Sequence, residues 1–299
     1  MSFQAKIVKR LIPLQRSGWS HGAIEEQRAR QEKSTRFARL PADISCHPVD
    51  ADGVPAEWIE TSGAGLEVIL YLHGGAYALG SINSHRDFIA RLALATQMRV
   101  LAINYRLAPE HPFPAALEDA VAAYLWLRAQ GFGSSQIIIA GDSAGGGLAL
   151  ALLLALRDAD KPLPAGAVCI SPWTDLGCSG ASFQSKAKAD CLLDPDSLQM
   201  YVNYYAGEHD RTTPLISPHY ADLSGLPPLL IQVGTDEILL DDATRFAANA
   251  KEAGVKVTLE IWDEMFHVFQ MVSFLPESKK AVKRIAEFVS QNIKRSELK

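Results

Sequence analysis

The sequence predicts an α/β protein in which an eight-stranded, mostly parallel sheet is flanked by helices and covered by a helical cap. From residue 66 onward, short apolar runs rich in β-branched residues alternate with helical patterns. This order is typical of a parallel sheet with helices on both faces. Two further helical segments, at the N-terminus and between residues 176 and 212, lie outside the alternation and predict the cap.

The length and composition of the chain are typical of a soluble globular protein. Its 299 residues can form one large domain with an insertion, and 48% of them are hydrophobic and 21% charged. The formal net charge of −5 gives no general attraction to nucleic acid or to anionic membranes. The longest apolar run, from Leu148 to Leu156, is far shorter than the roughly 20 residues that cross a membrane.

The cysteines and the N-terminus predict a cytoplasmic location. The four cysteines are dispersed without a CxxC pair, which favours reduced thiols over disulfides or a metal site. Lys6, Lys9 and Arg10 interrupt the N-terminal apolar pattern, so no signal peptide is expected. The basic excess of the first forty residues favours a solvated helical face, with a helix on a membrane surface as the alternative.

Strands are predicted where short runs of branched and aromatic residues are bounded by turn residues. The first two are joined by a short connection, which predicts an antiparallel start, and the others fit a parallel sheet. The strands are expected at residues 44–49, 56–62, 66–72, 99–105, 136–140, 166–170, 229–233 and 255–261.

Helices are predicted where apolar residues recur with helical spacing. The gap between the strands that end at Ile170 and begin at Leu229 is longer than a crossover requires. Within it, Asp194 is predicted as the N-cap and Pro195 as a first-turn residue of an additional helix. The N-terminal segment is also predicted to be helical, with a break at Pro13. The other helices are expected at residues 84–96, 114–130, 144–158, 239–253 and 277–293.

These segments predict a division of the chain into a main domain and a cap. The main domain is expected to contain residues 41–175 and 213–299. The cap is expected to contain residues 1–40 and 176–212. It would cover the carboxyl ends of the strands, where open α/β sheets bind their ligands.

The segment GDSAG, residues 141–145, lies between a predicted strand and a predicted helix. In this context a G-x-S-x-G sequence forms a sharp turn that exposes the serine hydroxyl at the edge of the sheet. The N-terminus of the following helix favours negative charge at that point. The segment lacks the glycine spacing of dinucleotide and nucleotide-phosphate sites. The pattern therefore favours Ser143 as a nucleophile over a phosphate-binding or purely structural turn.

A serine nucleophile requires a base and an acid that orients the base, and on this fold they follow in the order serine, acid, histidine. Asp236 follows a predicted strand and is the predicted acid. Its neighbouring rivals are Glu237, Asp241 and Asp242, of which the last two lie inside a predicted helix. His267 follows the last predicted strand and is the predicted base. His73 precedes the serine and is expected to have a structural role.

The loop after the third strand is predicted to supply an oxyanion hole. Gly74 and Gly75 lie in this loop, and Ala144 follows the predicted nucleophile. Their backbone N–H groups would stabilise the tetrahedral intermediate of acyl transfer. An ordinary glycine turn is the alternative, but it would not require an elbow, an acid and a histidine in the same order.

Several ordered segments together resemble the hormone-sensitive-lipase-like esterases, bacterial lipolytic family IV: HGGAYALGS, NYRLAPEHPFPAALEDA, GDSAGG, SPWTDL, GTDEILLDDA and MFHVF. The resemblance extends from Leu66 to the C-terminus. It implies an α/β-hydrolase fold and ester hydrolysis without metal or cofactor. It also implies the triad Ser143, Asp236 and His267, a preference for short acyl chains, and a homodimer that pairs through the last strand and a neighbouring helix.

Two positions depart from the pattern of this family. Ala76 stands where many members have a third glycine, which leaves its part in the oxyanion hole open. Glu264 stands where a glycine often precedes the MFH segment. Residues that either line the acyl pocket or pack the cap onto the sheet, with packing expected for most, are Trp19, Met200, Tyr201, Tyr204 and Tyr205.

The predicted function is therefore a serine carboxylesterase that hydrolyses short- to medium-chain esters through an acyl-enzyme. An amidase or small-peptide hydrolase would use the same triad and is the enzymatic alternative. A non-catalytic small-molecule binding protein on the same fold is the third hypothesis, and the presence of His267 counts against it.

Overall fold

The computed structural model describes residues 1–16, 22–35 and 40–293. Within these ranges one eight-stranded sheet is present. Its strands are β1 (Ile44–Asp50), β2 (Pro55–Thr61), β3 (Val68–Leu72), β4 (Arg99–Ile103), β5 (Ile137–Asp142), β6 (Gly166–Ile170), β7 (Leu229–Gly234) and β8 (Val257–Trp262). The α-helices in the same ranges are α1 (Phe3–Arg16), α2 (Ile24–Thr35), α3 (Ile82–Thr96), α4 (Ala115–Ala129), α5 (Ala144–Asp158), α6 (Ser182–Ser185), α7 (Pro195–Ala206), α8 (Leu240–Glu252) and α9 (Pro276–Asn292).

The strands follow the spatial order β1-β2-β4-β3-β5-β6-β7-β8. The β1–β2 and β2–β4 pairs are antiparallel, and the remaining neighbours pair in parallel. The predicted fold class is therefore confirmed, including its antiparallel start. The parallel strands bring their carboxyl ends to one edge of the sheet, and the candidate site lies at that edge.

The central strands are buried on both faces, which explains their continuous apolar runs. In β3 every residue is buried. Leu70 and Leu72 join the core packed against α4, α5 and α8. Ile69 and Tyr71 point to the opposite face and join the core formed with α3 and α9. The period-two alternation of side chains along a strand thus places helices on both sides of the sheet.

The N-terminal helices lie outside the strand–helix alternation, as predicted, but the predicted break at Pro13 is wrong. Helix α1 continues through Pro13 to Arg16. A proline removes one backbone N–H donor, and here the loss does not end the helix. Ala5 is fully buried in a small apolar cluster with Met265 and Phe266, so α1 packs directly on the loop after β8. Trp19 lies outside the described residues.

The additional helix in the long connection is α7, and it begins as predicted. Asp194 is its N-cap and accepts a hydrogen bond from the Ser197 N–H at 3.0 Å. The buried face of α7 contacts both the loop after β3 and helix α2. Tyr205 stacks on Tyr77 with ring centroids 3.7 Å apart, and the Tyr201 hydroxyl donates to Gln27 at 2.6 Å. Of the helices in the described ranges, none combines the length and the apolar character that crossing a bilayer requires.

The turn between β5 and α5 brings three backbone segments into contact. Ser143, at its tip, has φ +54° and ψ −122°, a conformation that side chains rarely adopt outside tight functional turns. Its N–H donates to the Ile170 carbonyl at 2.8 Å, which ties the turn to the end of β6. A Cβ atom at Gly145 would lie 2.1 Å from the Leu72 carbonyl oxygen, so only glycine permits this approach of α5 to β3.

We therefore expect Gly145→Ala to lower the free energy of unfolding by at least about 2 kcal/mol, because the added methyl group overlaps backbone atoms that cannot move independently. Urea unfolding monitored by circular dichroism would measure the change. Gly63→Ala is the matched control, since its Cβ would meet no atom within 4 Å. That control should leave stability unchanged or raise it by up to about 1 kcal/mol. Equal effects of the two substitutions would contradict the steric argument.

Candidate active site

Three polar side chains meet at the carboxyl edge of the sheet. Ser143 follows β5, Glu237 lies in the loop after β7, and His267 lies in the loop after β8. The Oγ atom of Ser143 is 2.9 Å from Nε2 of His267. The Nδ1 atom of His267 is 2.8 Å from Oε2 of Glu237. When Nδ1–H donates to the carboxylate, Nε2 is left to accept the serine proton.

The predicted contact between Asp236 and His267 is wrong, because its neighbour Glu237 makes that contact. Glu237 is fully buried and turns toward the histidine. The Asp236 side chain turns the other way and forms ion pairs with Lys9 of α1 and, at 3.8 Å, with Lys186. Both carboxylates follow the same strand, so strand-end position alone does not distinguish them. No signal in the sequence identified Glu237 over Asp236.

Backbone and hydroxyl groups hold Glu237 in place. Its Oε1 atom accepts hydrogen bonds from the Gly234 N–H and, at 2.8 Å, from the Ser171 hydroxyl. The loops after β7 and β8 are also joined directly, because the Asp236 N–H donates to the Met265 carbonyl at 3.0 Å. The acid and the histidine therefore stand on loops that are fixed relative to each other.

The electrostatics of the pair favour the charged imidazole. Burial alone would lower the pKa of His267, but the hydrogen bond and negative charge of Glu237 outweigh it and raise that pKa. Burial raises the pKa of Glu237, opposed by its hydrogen bonds with His267 and the Gly234 N–H.

His73, behind the site, has its pKa lowered to about 3 by burial and by the charge of His85. His73 is therefore neutral near pH 7.

In the loop after β3, one of the predicted oxyanion-hole residues has its N–H engaged by another group. The Gly74 N–H donates to the Asp142 carboxylate at 3.0 Å and is therefore already engaged. Gly75 and Ala76, by contrast, line the cavity beside Ser143. Ala76 has φ +53°, in the left-handed region. An alanine in this conformation carries a steric cost that it would not have at a negative φ. Ala144 is the first residue of α5 and directly follows Ser143.

A cavity of about 380 Å³ opens at the Ser143 hydroxyl. Its walls come from α1 and α2, from the loop after β3 and the start of α3, from the segment around α7 and from the loop after β8, and they are mostly apolar. Tyr201 lines the cavity, whereas Tyr205 is buried against Tyr77, and Met200 and Tyr204 pack on the core. The apolar side chains around the cavity are Ile12, Leu79, Leu192, Leu193, Leu198, Tyr201, Phe266, Val268, Met271 and Val272.

The described part of the chain contains no group of three or more His, Cys, Asp or Glu side chains arranged to bind a metal ion. The acidic and imidazole groups at the site are instead engaged with one another or with backbone groups. The chemistry that this arrangement can perform is proton transfer from a hydroxyl to an imidazole, followed by attack of the serine oxygen on an electrophilic carbon.

Comparisons with known proteins agree on one family. A family model described as the alpha/beta hydrolase fold matches residues 69–271. The chain is 45% identical over 293 residues to a protein named acetyl-hydrolase from Streptomyces hygroscopicus, covering 96% of each chain. It is 41% identical over 249 residues to a protein named esterase from Acinetobacter venetianus, covering 83% of this chain and 82% of the relative. A crystal structure of an esterase from the bacterial hormone-sensitive lipase family matches with a TM-score of 0.94 at 45% identity, covering 98% of this chain and 99% of that one.

The left-handed conformation of Ala76 leads to a stability prediction. Glycine adopts this conformation without the steric cost that alanine bears, so Ala76→Gly should raise the free energy of unfolding by about 1 kcal/mol. Chemical denaturation would measure it. The control Ala122→Gly, in the middle of α4, should lower stability by about 1 kcal/mol because glycine weakens helices. A loss of stability in both variants would argue against strain at residue 76.

Proposed function

The chain belongs to the bacterial hormone-sensitive-lipase family of α/β-hydrolase esterases and is a serine carboxylesterase, and we propose that Ser143, Glu237 and His267 form its catalytic triad. The observation that carries this proposal is the continuous hydrogen-bond chain from the Ser143 hydroxyl through His267 to the buried carboxylate of Glu237. Such a chain activates a serine hydroxyl that is otherwise a weak nucleophile.

In the first half of the reaction, His267 removes the Ser143 proton while Oγ attacks the ester carbonyl carbon. The carbonyl oxygen becomes a tetrahedral oxyanion. The protonated imidazole then donates its proton to the departing alkoxide, the carbon–oxygen bond breaks, and the alcohol leaves an acyl-serine behind. Glu237 keeps the imidazole oriented and stabilises its positive charge.

In the second half, water replaces the alcohol and the same groups act again. His267 accepts a proton from the attacking water, and the resulting hydroxide adds to the acyl-serine carbonyl. When this second tetrahedral intermediate collapses, the proton returns to the serine oxygen. The carboxylic acid is released and the free hydroxyl is restored.

The oxyanion in both halves is proposed to accept hydrogen bonds from the backbone N–H groups of Gly75, Ala76 and Ala144. Gly75 and Ala76 line the cavity beside Ser143, which supports their role. Ala144 opens α5, and the first N–H groups of a helix have no partner within it. The assignment of Gly74 in the sequence prediction is replaced by Ala76, because Asp142 already accepts the Gly74 N–H.

The proposed substrates are short- to medium-chain esters, and the proposed cap consists of residues 1–40 and 176–212. A mostly apolar cavity of about 380 Å³ suits an acyl group of modest length. Ile12 of α1 and Tyr201 of α7 line this cavity, which supports a cap assembled from two separate segments.

Location and assembly are also proposals. The four cysteines are free thiols, which supports the reducing environment of the cytoplasm. A homodimer through β8 and a neighbouring helix is supported by the position of β8 at the edge of the sheet, where Ile261 is half-exposed. Light scattering would determine the oligomeric state.

Substitution of the two neighbouring carboxylates tests the proposed triad. Ser143→Ala should lower kcat for a short p-nitrophenyl ester by at least about 10⁴-fold, because the nucleophile is lost. Glu237→Gln should lower kcat by about 10³- to 10⁴-fold, because the imidazole loses its charged partner. Asp236→Asn, the matched control at the next residue, should retain kcat within about fivefold. Loss of activity in Asp236→Asn with retention in Glu237→Gln would reverse the assignment.

The pH dependence of kcat/KM tests the interaction between Glu237 and His267. The base must be neutral to accept a proton, and its raised pKa moves the acidic limb of the profile above the ordinary value of 6.5. Activity should therefore decline as the pH falls through that raised pKa. In the residual activity of Glu237→Gln the limb should move to lower pH, because burial then acts with less opposition. An unchanged limb in that variant would exclude Glu237 as the partner of the base.

A further inference from the structure

The residue before the nucleophile, Asp142, carries a buried carboxylate that the triad mechanism does not use. Its side chain is only 3% exposed, and the residue lines the cavity next to Ser143. Burying an ionised carboxylate is costly unless several donors satisfy it. The partners of this carboxylate therefore indicate what it does.

Three donors from three different segments converge on Asp142. Its Oδ1 atom accepts the Tyr71 hydroxyl at 2.6 Å and the Gly74 N–H at 3.0 Å. Its Oδ2 atom lies 3.3 Å from Nε2 of His85. Tyr71 belongs to β3, Gly74 to the loop that follows it, and His85 to α3. The carboxylate thus connects the turn that presents Ser143 to the loop that continues into Gly75 and Ala76.

The backbone of Gly74 lies so close to Asp142 that there is no room for a side chain at this position. A Cβ atom at Gly74 would lie 2.3 Å from Oδ2 of Asp142 and 2.9 Å from its carbonyl oxygen. The Gly74 carbonyl is held as well, because it lies 2.8 Å from Nδ1 of His73, whose ring stacks on Tyr105. Both polar groups of this residue are therefore engaged, which fixes the peptide plane that leads into Gly75.

We propose that Asp142 is a positioning residue that holds the oxyanion loop at a set distance from Ser143. This inference rests on the proposed function, in which Gly75 and Ala76 stabilise the oxyanion. Preorganised donors stabilise a transition state only if they do not need to move when the charge develops. A carboxylate on the residue directly before the nucleophile couples the position of the donors to the position of the attacking oxygen.

A negative charge on Asp142 would repel an oxyanion nearby, and His85 can offset this charge. Burial alone would raise the pKa of Asp142, but the positive charge and hydrogen bond of His85 outweigh it and lower that pKa. In turn Asp142 raises the pKa of His85 against the effect of burial. The carboxylate therefore remains an acceptor for Gly74. The raised pKa of His85 favours an imidazolium, whose positive charge would offset the negative charge of the carboxylate near the intermediate.

The first test is the variant Asp142→Ala, which removes the carboxylate. Inhibition by a trifluoromethyl ketone that mimics a short ester distinguishes a displaced oxyanion loop from a general loss of stability. Ser143 Oγ adds to the carbonyl carbon of this ketone and forms a hemiketal oxyanion, which requires the oxyanion hole. We expect kcat to fall about 10- to 100-fold with KM within about twofold. The inhibition constant of the ketone should rise by the same factor as kcat/KM falls. Asp142→Asn, which keeps an oxygen acceptor for Gly74 and Tyr71, should recover most of the loss.

Gly74→Ala tests the same contact from the loop side and decides the matter if Asp142→Ala does not fold. Gly74→Ala should weaken binding of the ketone and lower kcat in parallel, because the added methyl group displaces the loop from Asp142. The matched control is Asp119→Ala. Asp119 is a carboxylate of α4 that also accepts a backbone N–H, from Arg106 at 2.7 Å, but it lies outside the cavity. That control should lower stability without changing the inhibition constant.

A folded Asp142→Ala or Gly74→Ala variant with unchanged ketone affinity and unchanged kcat would overturn the positioning role. An equal rise of the inhibition constant in Asp119→Ala would also overturn it, because the effect would then follow from lost stability. Failure of the ketone to inhibit the wild-type protein would instead contradict the proposed function. The two failures are therefore distinguishable in one set of measurements.

Discussion

The close approach of the backbone of α5 to the end of β3 is the constraint on which the site depends. The absence of a side chain at Gly145 lets the first turn of α5 lie against the Leu72 carbonyl. This contact holds the turn at Ser143 in its left-handed conformation and keeps the hydroxyl at the edge of the sheet. The loop after β3 starts at the same place, so nucleophile and oxyanion loop share one backbone junction.

Most of the fold could be predicted from the sequence because the strands and the longer helices of the main domain have strong local signals. Buried parallel strands are continuously apolar, and the N-cap Asp194 followed by Pro195 identifies the start of α7 without any tertiary information. The course of helix α1 was harder to predict. A proline ends a helix only when tertiary contacts of the helix do not compensate for the hydrogen bond that the proline removes. Packing of Ile12, the residue before Pro13, on the apolar cluster that contains Phe266 is such a contact, and it depends on residues more than 200 positions away.

The site was predictable in its chemistry but not in every residue. Ser143 and His267 are marked by motif and chain order, and the structure brings them together. The choice between Asp236 and Glu237 depends on which side chain faces inward from a loop, and chain order contains no such information. The same holds for Gly74, whose N–H direction is set by Asp142 across the sheet edge. Local patterns identify loops that carry function, whereas the direction of a single group depends on tertiary contacts.

Asp236 forms ion pairs that anchor other segments to the loop after β7, and it takes no part in the hydrogen-bond chain from Ser143 to Glu237. Through Lys9 and Lys186 this residue links α1 and the segment before α7 to the loop that carries Glu237. The wall formed by Ile12 is thus held at the edge of the sheet by ion pairs as well as by the apolar packing of α1, and the proton-transfer chain has separate partners. Selection for new acyl groups can therefore act on the N-terminal helix and its anchoring charges while the hydrolytic machinery stays the same.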